Sequence, residues 1–293
     1  MGIKIMKKQL FLLILIVIAT FSFVGCGLEN NKYIITQYAD ESGSQGMFYS
    51  IITPEKKLII IDGGNAGNSD QLRRVINENG NCVDAWIITH PHPDHVDAFN
   101  LVYSNPGDII IKDIYSVFIP HDEYLAKSKP WDVFASYERF MELMQNETSI
   151  NYVTKGDVLN ICGIEMCIYN TYYDYINTIS NDLCNDGSMM FELKFTEKSF
   201  LFCADVGQIM SDIIISEFGN EIDADFVQMG HHGNGGLSTH FYELVSPETA
   251  FFDAPDWLMF GETYDTPAKT AFMKSIGSNI FSYNTAPNTI IVE

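Results

Sequence analysis

Basic side chains are scarce in this chain. Lysine and arginine total 17 against 38 aspartates and glutamates, a formal charge of −21. The acids are spread along the sequence rather than gathered in one tail, so the surface repels polyanions at long range. That argues against a general nucleic-acid binder, which needs a basic footprint. It does not exclude a small phosphorylated substrate, because bound metal ions reverse the local field. A Cys-x-x-Cys pair is also lacking. Cys82, Cys162, Cys167, Cys184 and Cys203 suggest neither a zinc–thiolate site nor a disulfide framework. They read as small hydrophobes in strands, although Cys162 and Cys167 are near enough in sequence to pair in an oxidising compartment. Internal repeats are lacking, and no linker interrupts the region after residue 32.

What is present suits a sizeable core: 46% of residues are hydrophobic and 13% aromatic. The N-terminus has the pattern of a secretion signal. Lys4, Lys7 and Lys8 precede an apolar run from Leu10 to Phe23, which ends at Gly25-Cys26-Gly27. The run is short for a transmembrane helix. Phe23-Val24-Gly25-Cys26 resembles a bacterial lipobox, with Phe where Leu is usual, and implies lipidation at Cys26. The expected organisation is a signal peptide at 1–25, a tether at 26–32 and one domain at 33–293, held outside the cytoplasmic membrane by a lipid or secreted.

Beyond residue 32, apolar strands alternate with amphipathic helices, which predicts a layered α/β domain. Strands are expected at Tyr33–Gln37, Met47–Thr53, Leu58–Ile61, Val83–Thr89 and Ile109–Ile119. Further strands are expected at Val158–Cys162, Glu165–Asn170, Met189–Phe195, Phe200–Ala204, Asp225–Met229, Thr249–Phe252 and Thr289–Val292. Helices are expected at Ser69–Asn79, His95–Tyr103, Pro130–Gln145, Gly207–Phe218, Thr239–Val245 and Pro267–Ile276.

Five of the seven histidines fall in two clusters, each directly after a predicted strand. Thr89-His90-Pro91-His92-Pro93-Asp94-His95 packs three imidazoles and a carboxylate into six residues. Prolines hold this loop extended, so His90 and His92, two apart, point the same way, while Asp94 and His95 lie beyond the turn. Imidazole with carboxylate suits zinc, and also iron or manganese. Asp205 and Gly230-His231-His232-Gly233 follow strands in the same manner and can complete such a shell. Asp62, before two glycines, is expected to orient the histidine loop. His121 ends a strand and His240 begins a helix; both read as solvated residues with a site role left open.

These residues, in this order, resemble the metallo-β-lactamase superfamily from about Tyr33 to the end. The resemblance implies a four-layer αββα sandwich with one or two metal ions, zinc by preference. It implies that His90 and His92 hold one ion and that Asp94, His95 and His232 hold the other, with Asp205 bridging. One feature departs from the β-lactamases and thiolesterases: Asn185-Asp186-Gly187-Ser188-Met189-Met190-Phe191 lacks their middle histidine, leaving the His90/His92 ion an open position. This resembles the ComEC-type hydrolase branch, with its His-His-Gly motif, and the arrangement in secreted phosphorylcholine esterases. The implied activity is hydrolysis of a phosphoester or phosphodiester by a metal-activated hydroxide. Asp94 would orient it or take its proton, and His231 would donate to developing negative charge. The substrate would be a small molecule or a cell-envelope component. A lactone or amide hydrolase, and a metal-binding surface lipoprotein without catalysis, are the competing readings.

Overall fold

The computed structural model describes residues 31–283 and 287–293. The expected signal peptide, Cys26 and the tether up to residue 30 lie outside them. Among the described residues no helix is long and apolar enough to cross a membrane.

Two seven-stranded sheets form the centre, built to one plan. The first has the order β14-β1-β2-β3-β4-β5-β6, with β1 Tyr33–Gln37, β2 Phe48–Ile52, β3 Leu58–Asp62, β4 Cys82–Ile88, β5 Ile110–Ser116, β6 Ile150–Tyr152 and β14 Asn288–Val292. The second has the order β13-β12-β11-β10-β9-β8-β7, with β7 Val158–Ile161, β8 Ile164–Asn170, β9 Met190–Lys194, β10 Ser199–Phe202, β11 Phe226–Gln228, β12 Thr249–Phe251 and β13 Asn279–Phe281. From β14 to β3, and from β7 to β10, neighbours are antiparallel. From β3 to β6, and from β10 to β13, they are parallel. The fourth strand of each sheet, β3 and β10, is thus where pairing changes sense, and crevices at strand ends near such points are where α/β proteins place ligands.

Strand alternation builds the layers. In β3, Ile59 and Ile61 face a core shared with the second sheet, while Leu58 and Ile60 face the helices outside. Tyr49 of β2 meets Phe202 of β10 edge-on, with ring centroids 5.3 Å apart. Phe202 in turn stacks on Phe191 and Phe200. The outer face of the first sheet is covered by α1 Ser69–Glu78, α2 Pro93–Ser104 and α4 Phe134–Met144, with α3 His121–Lys127 lying between α2 and α4 in the chain. The remaining helices are α5 Asp174–Ile179, α6 Leu183–Asp186, α7 Ser211–Phe218, α8 Thr239–Val245, α9 Asp256–Met259 and α10 Thr266–Ser275. The architecture is the expected αββα sandwich.

Three differences from expectation stand out. β6 and β13, three residues each, were not expected, nor were helices α3, α5, α6 and α9. The helix expected from Pro130 starts at Phe134, because Val133 has a left-handed backbone, φ 42°. The strand expected to reach Ile119 stops at Ser116, and His121 opens α3. As the reading of small hydrophobes expects, Cys162 and Cys167 are both free: in the β7–β8 hairpin Cys167 stands opposite Val158, not Cys162.

Phe202 is fully buried between the sheets. Phe202→Ala should cost about 3–5 kcal/mol of stability, read as a lower urea midpoint with an unchanged slope.

Candidate metal centre

The site lies at the carboxyl ends of the fourth and fifth strands of both sheets. In the first sheet, β3 ends at Asp62 and β4 runs into His90. In the second, β10 runs into Asp205 and β11 into His231 and His232. Pro93 occupies the first position of α2, where its missing N–H costs nothing. His92 is therefore the last extended residue, and Asp94 and His95 belong to the first turn of α2 rather than to an extended loop. The partial positive charge of that turn favours the Asp94 carboxylate.

Each of the four clustered imidazoles has one nitrogen tied to an acceptor, which leaves the other for the centre. His95 Nδ1–H donates to Asp62 Oδ2 at 2.7 Å. Asp62 also accepts from the Thr89 backbone N–H and hydroxyl, both at 2.7 Å. With its proton given to Asp62, the Thr89 oxygen accepts from His90 Nδ1 at 3.2 Å. His92 Nε2–H donates to Asp132 Oδ1 at 3.1 Å, and His232 Nδ1–H to the Asp253 carbonyl at 3.1 Å. These bonds select the tautomers and ring orientations that a metal ion needs.

The inward nitrogens gather round Asp205. Its oxygens lie 3.3 Å from His95 Nε2, 3.4 Å from His232 Nε2 and 4.0 Å from His90 Nε2. Asp94 Oδ2 lies 3.2 Å from His232 Nε2. Potential ligand atoms fall into three overlapping triads, each with all atoms within 4.8 Å of one another: His90/His95/Asp205, Asp94/His95/His232 and His90/His92/Cys184. His90 Nε2, His95 Nε2, His232 Nε2 and Asp205 Oδ1 are buried and have no hydrogen-bond partner. Buried polar atoms are nearly always paired, so orphaned donor atoms converging on shared points fit one or two divalent cations. The imidazole, carboxylate and thiol set suits zinc or iron.

The charges interlock. Burial alone would raise Asp205, but His232 and His95 hold its carboxyl well below the usual range. Burial would likewise lower His95 and His232; Asp205 and its neighbouring carboxylates outweigh it and raise both, His232 to about 10. Burial, with His95 and His92 beside it, pushes His90 well down.

All six expected ligands, and Asp62 behind them, come together. His231 stands at the rim, its side chain a third exposed, with Nε2 3.9 Å from Asp205. His121 does not join the cluster: it bonds Asp122 and packs on Phe134. His240 is exposed beside Glu243. Sequence reasoning missed Thr89, Asp132 and Asp253 as partners of the histidines, and Gln45, whose amide donates to Asp94 Oδ2 at 3.0 Å. Only tertiary contact reveals them. It also placed Cys184 in a strand; the residue lies in α6, against His90 and His92.

Two backbone devices seat the second histidine cluster. His231 and His232 have φ of 52° and 56°, a left-handed conformation that L residues adopt only at a cost. Gly233 follows at φ +87°, where a Cβ would lie 2.5 Å from the Phe252 ring, so this position needs glycine.

Asp62→Asn keeps the volume but offers one acceptor oxygen to three donors. Metal affinity should fall roughly 10- to 100-fold, measured by competition with a chromophoric chelator. At pH 7 the metal-free protein carries a proton on His232 that an ion must displace. Metal binding should therefore release at least one proton at pH 7, with apparent affinity rising about tenfold per pH unit for each proton released until His232 deprotonates. Calorimetry in buffers of different ionisation enthalpy measures the release.

The family model described as Metallo-beta-lactamase superfamily matches residues 47–139. No curated protein sequence matches the chain. Among solved structures, the metallo-β-lactamase fold protein YhfI from Bacillus subtilis is similar at 12% identity and a TM-score of 0.56, over 89% of this chain and 100% of that one. A diphosphatase of the PhnP family has 12% identity and a TM-score of 0.53, over 89% of this chain and 98% of that one. CmlA, a diiron β-hydroxylase from Streptomyces venezuelae, has 12% identity and a TM-score of 0.55, over 88% of this chain and 54% of that one. At such identities these likenesses speak to the fold alone. The chain has the metallo-β-lactamase fold and, across residues 47–139, the sequence signature of the metallo-β-lactamase superfamily.

Proposed function

We propose that this protein is a metal-dependent hydrolase that cleaves a phosphodiester. The observation that carries this reading is the convergence of the orphaned nitrogens of His90, His95 and His232 on Asp205, each imidazole held by a bond on its far side. His90, His92, Asp94, His95, Asp205 and His232 would hold the metal. When bound, a divalent ion supplies Lewis acidity and lowers the pKa of water from 15.7 toward about 7.

The protein's own groups then divide the work. Gln45 aims Asp94, whose carboxylate is the proton acceptor nearest the open side of the cluster. His231 lines the same cleft; burial lowers its proton affinity below the ordinary range, so at pH 7 it offers a neutral N–H to developing negative charge. The cleft holds about 230 Å³ and is lined by Gln45, His92, Asp94, Trp131, Asn185, Asp205 and His231. None of these is lysine or arginine. Positive charge for an anionic substrate would come from the metal, which favours a singly charged diester over a doubly charged monoester. A small cleft that includes the exposed Trp131 suits one linkage of a larger molecule. The same lack of cationic side chains also favours a second reading, hydrolysis of an uncharged lactone or amide. The finer likeness to the ComEC-type branch rests on the missing middle histidine and on His231-His232-Gly233. Placement outside the cytoplasmic membrane, through a lipid on Cys26, rests on the N-terminal sequence.

Metal-loaded protein should hydrolyse a bis-aryl phosphodiester at least tenfold faster than the corresponding monoester. His90→Ala and Asp205→Ala should each lower that rate by more than a hundredfold and reduce bound metal. Unchanged activity in both variants would overturn the assignment, and hydrolysis confined to lactones would transfer it to the second reading. Cys26→Ser should move the protein from the membrane fraction to the medium or the soluble extracytoplasmic fraction.

A further inference from the structure

Cys184 has no place in the mechanism above. Its side chain is fully buried, and its sulfur and one ring nitrogen each of His90 and His92 lie mutually within 4.8 Å. His92 Nε2 is occupied by Asp132, so Nδ1 is the nitrogen it has left. His90 Nε2 is fully buried and has no hydrogen-bond partner. A tetrahedral ion with bonds of about 2.0–2.3 Å would draw the three ligand atoms to roughly 3.5 Å apart, a modest contraction. We propose that Cys184 is a metal ligand, completing with His90 and His92 a two-nitrogen, one-sulfur site that is chemically unlike the Asp94/His95/His232 site beside it.

The surroundings of Cys184 are built to hold it there. It sits in α6, directly before the stretch Asn185–Phe191 that lacks a histidine. That segment is fastened at several points. Asn170 Nδ2 donates to the Asp186 and Ser188 carbonyls, both at 2.9 Å. The Gly207 N–H donates to Asp186 Oδ1 at 3.2 Å. The Met189 N–H donates to the Thr89 carbonyl at 2.9 Å, tying the segment to the residue that precedes His90. Asn185 Nδ2 reaches Asp182 at 3.1 Å. The Tyr124 hydroxyl, on α3 packed against α6, is buried without a hydrogen-bond partner.

Binding would form a sulfur–metal bond as the thiol proton leaves to solvent, with no change of oxidation state. The thiolate also alters what the centre can accept. Together with Asp94 and Asp205 it supplies three negative charges against four from two divalent ions, so the centre is less positive than a third histidine at that position would leave it. A less positive centre attracts a doubly charged monoester less strongly, which deepens the reading of the same site, on which this proposal rests. Soft sulfur at one position and oxygen at the other also means the two positions will differ in metal preference.

Cobalt(II) loading of the full chain reads the bond directly. The wild-type protein should bind cobalt with an intense near-ultraviolet thiolate-to-cobalt charge-transfer band. Cys184→Ser should lose that band and at least tenfold in affinity at one of the two sites. Cys184→His, which restores a nitrogen at this position, should bind as many cobalt ions as the wild type without the band, and so separates loss of the ligand from loss of the fold. Cobalt bound by the wild type without the band, or a band that survives in Cys184→Ser, would overturn the proposal and leave the hydrolase reading standing. A wild-type chain that binds neither cobalt nor zinc would overturn both.

Discussion

The attraction between one buried carboxylate and the imidazoles around it is the constraint on which the rest of the structure depends. Asp205 is 2% exposed, and His95, His232 and His90 point at it. An isolated charge so deep would be expelled or neutralised. Here the carboxylate and the rings are stable only together, and both sheets must be in place to hold them. The backbone bears part of the cost. Asp62, Ala204, His231 and His232 all adopt left-handed conformations, each unfavourable by about 1–3 kcal/mol. What holds them is local: the Trp86 indole N–H donates to the Asp62 carbonyl at 2.8 Å, the His231 N–H to the Ala204 carbonyl at 2.9 Å, and the Tyr242 hydroxyl accepts from the Gly230 N–H at 2.9 Å.

The common plan of the two sheets explains why so few loops suffice. In each, a carboxylate follows the fourth strand and imidazoles follow the fifth, at the strand ends where antiparallel pairing gives way to parallel. Asp62 and Asp205 are therefore counterparts by position with different tasks. Asp62 stays behind the rings and accepts three hydrogen bonds. Asp205 stands between them and keeps Oδ1 unpartnered. No sequence repeat betrays this correspondence, because strand pairing constrains direction and burial far more than residue identity.

What could be read from the sequence was what is local. His90 to His95 is a dense motif directly after an apolar strand, and Asp205 and His232 follow strands in the same way, so all were recognisable one by one. Fold class followed from alternating strand and helix patterns. The partners of the histidines were not legible. Asp132 is 40 positions from His92 and falls where the sequence pattern suggests the first turn of a helix. The Asp253 contribution is a backbone carbonyl, which has no sequence signature at all. Cys184 looked like a strand cysteine because its four-residue helix is too short to show periodicity. β6 and β13 gave no signal because their three residues are partly exposed, whereas the equally short β11 and β12 are fully buried.

The pairing of β1 with β14 has a consequence in time. Tyr33 stands opposite Val292 and Gln37 opposite Asn288, and Thr36 shares a hydrogen bond with Thr289, 253 positions further along. At about 5–20 residues per second of synthesis, roughly tens of seconds separate the two strands as they are made. Throughout that interval one side of β1 is an open edge, able to pair with any extended chain nearby. A growing chain of this protein thus needs to be kept apart from its siblings until its last strand arrives.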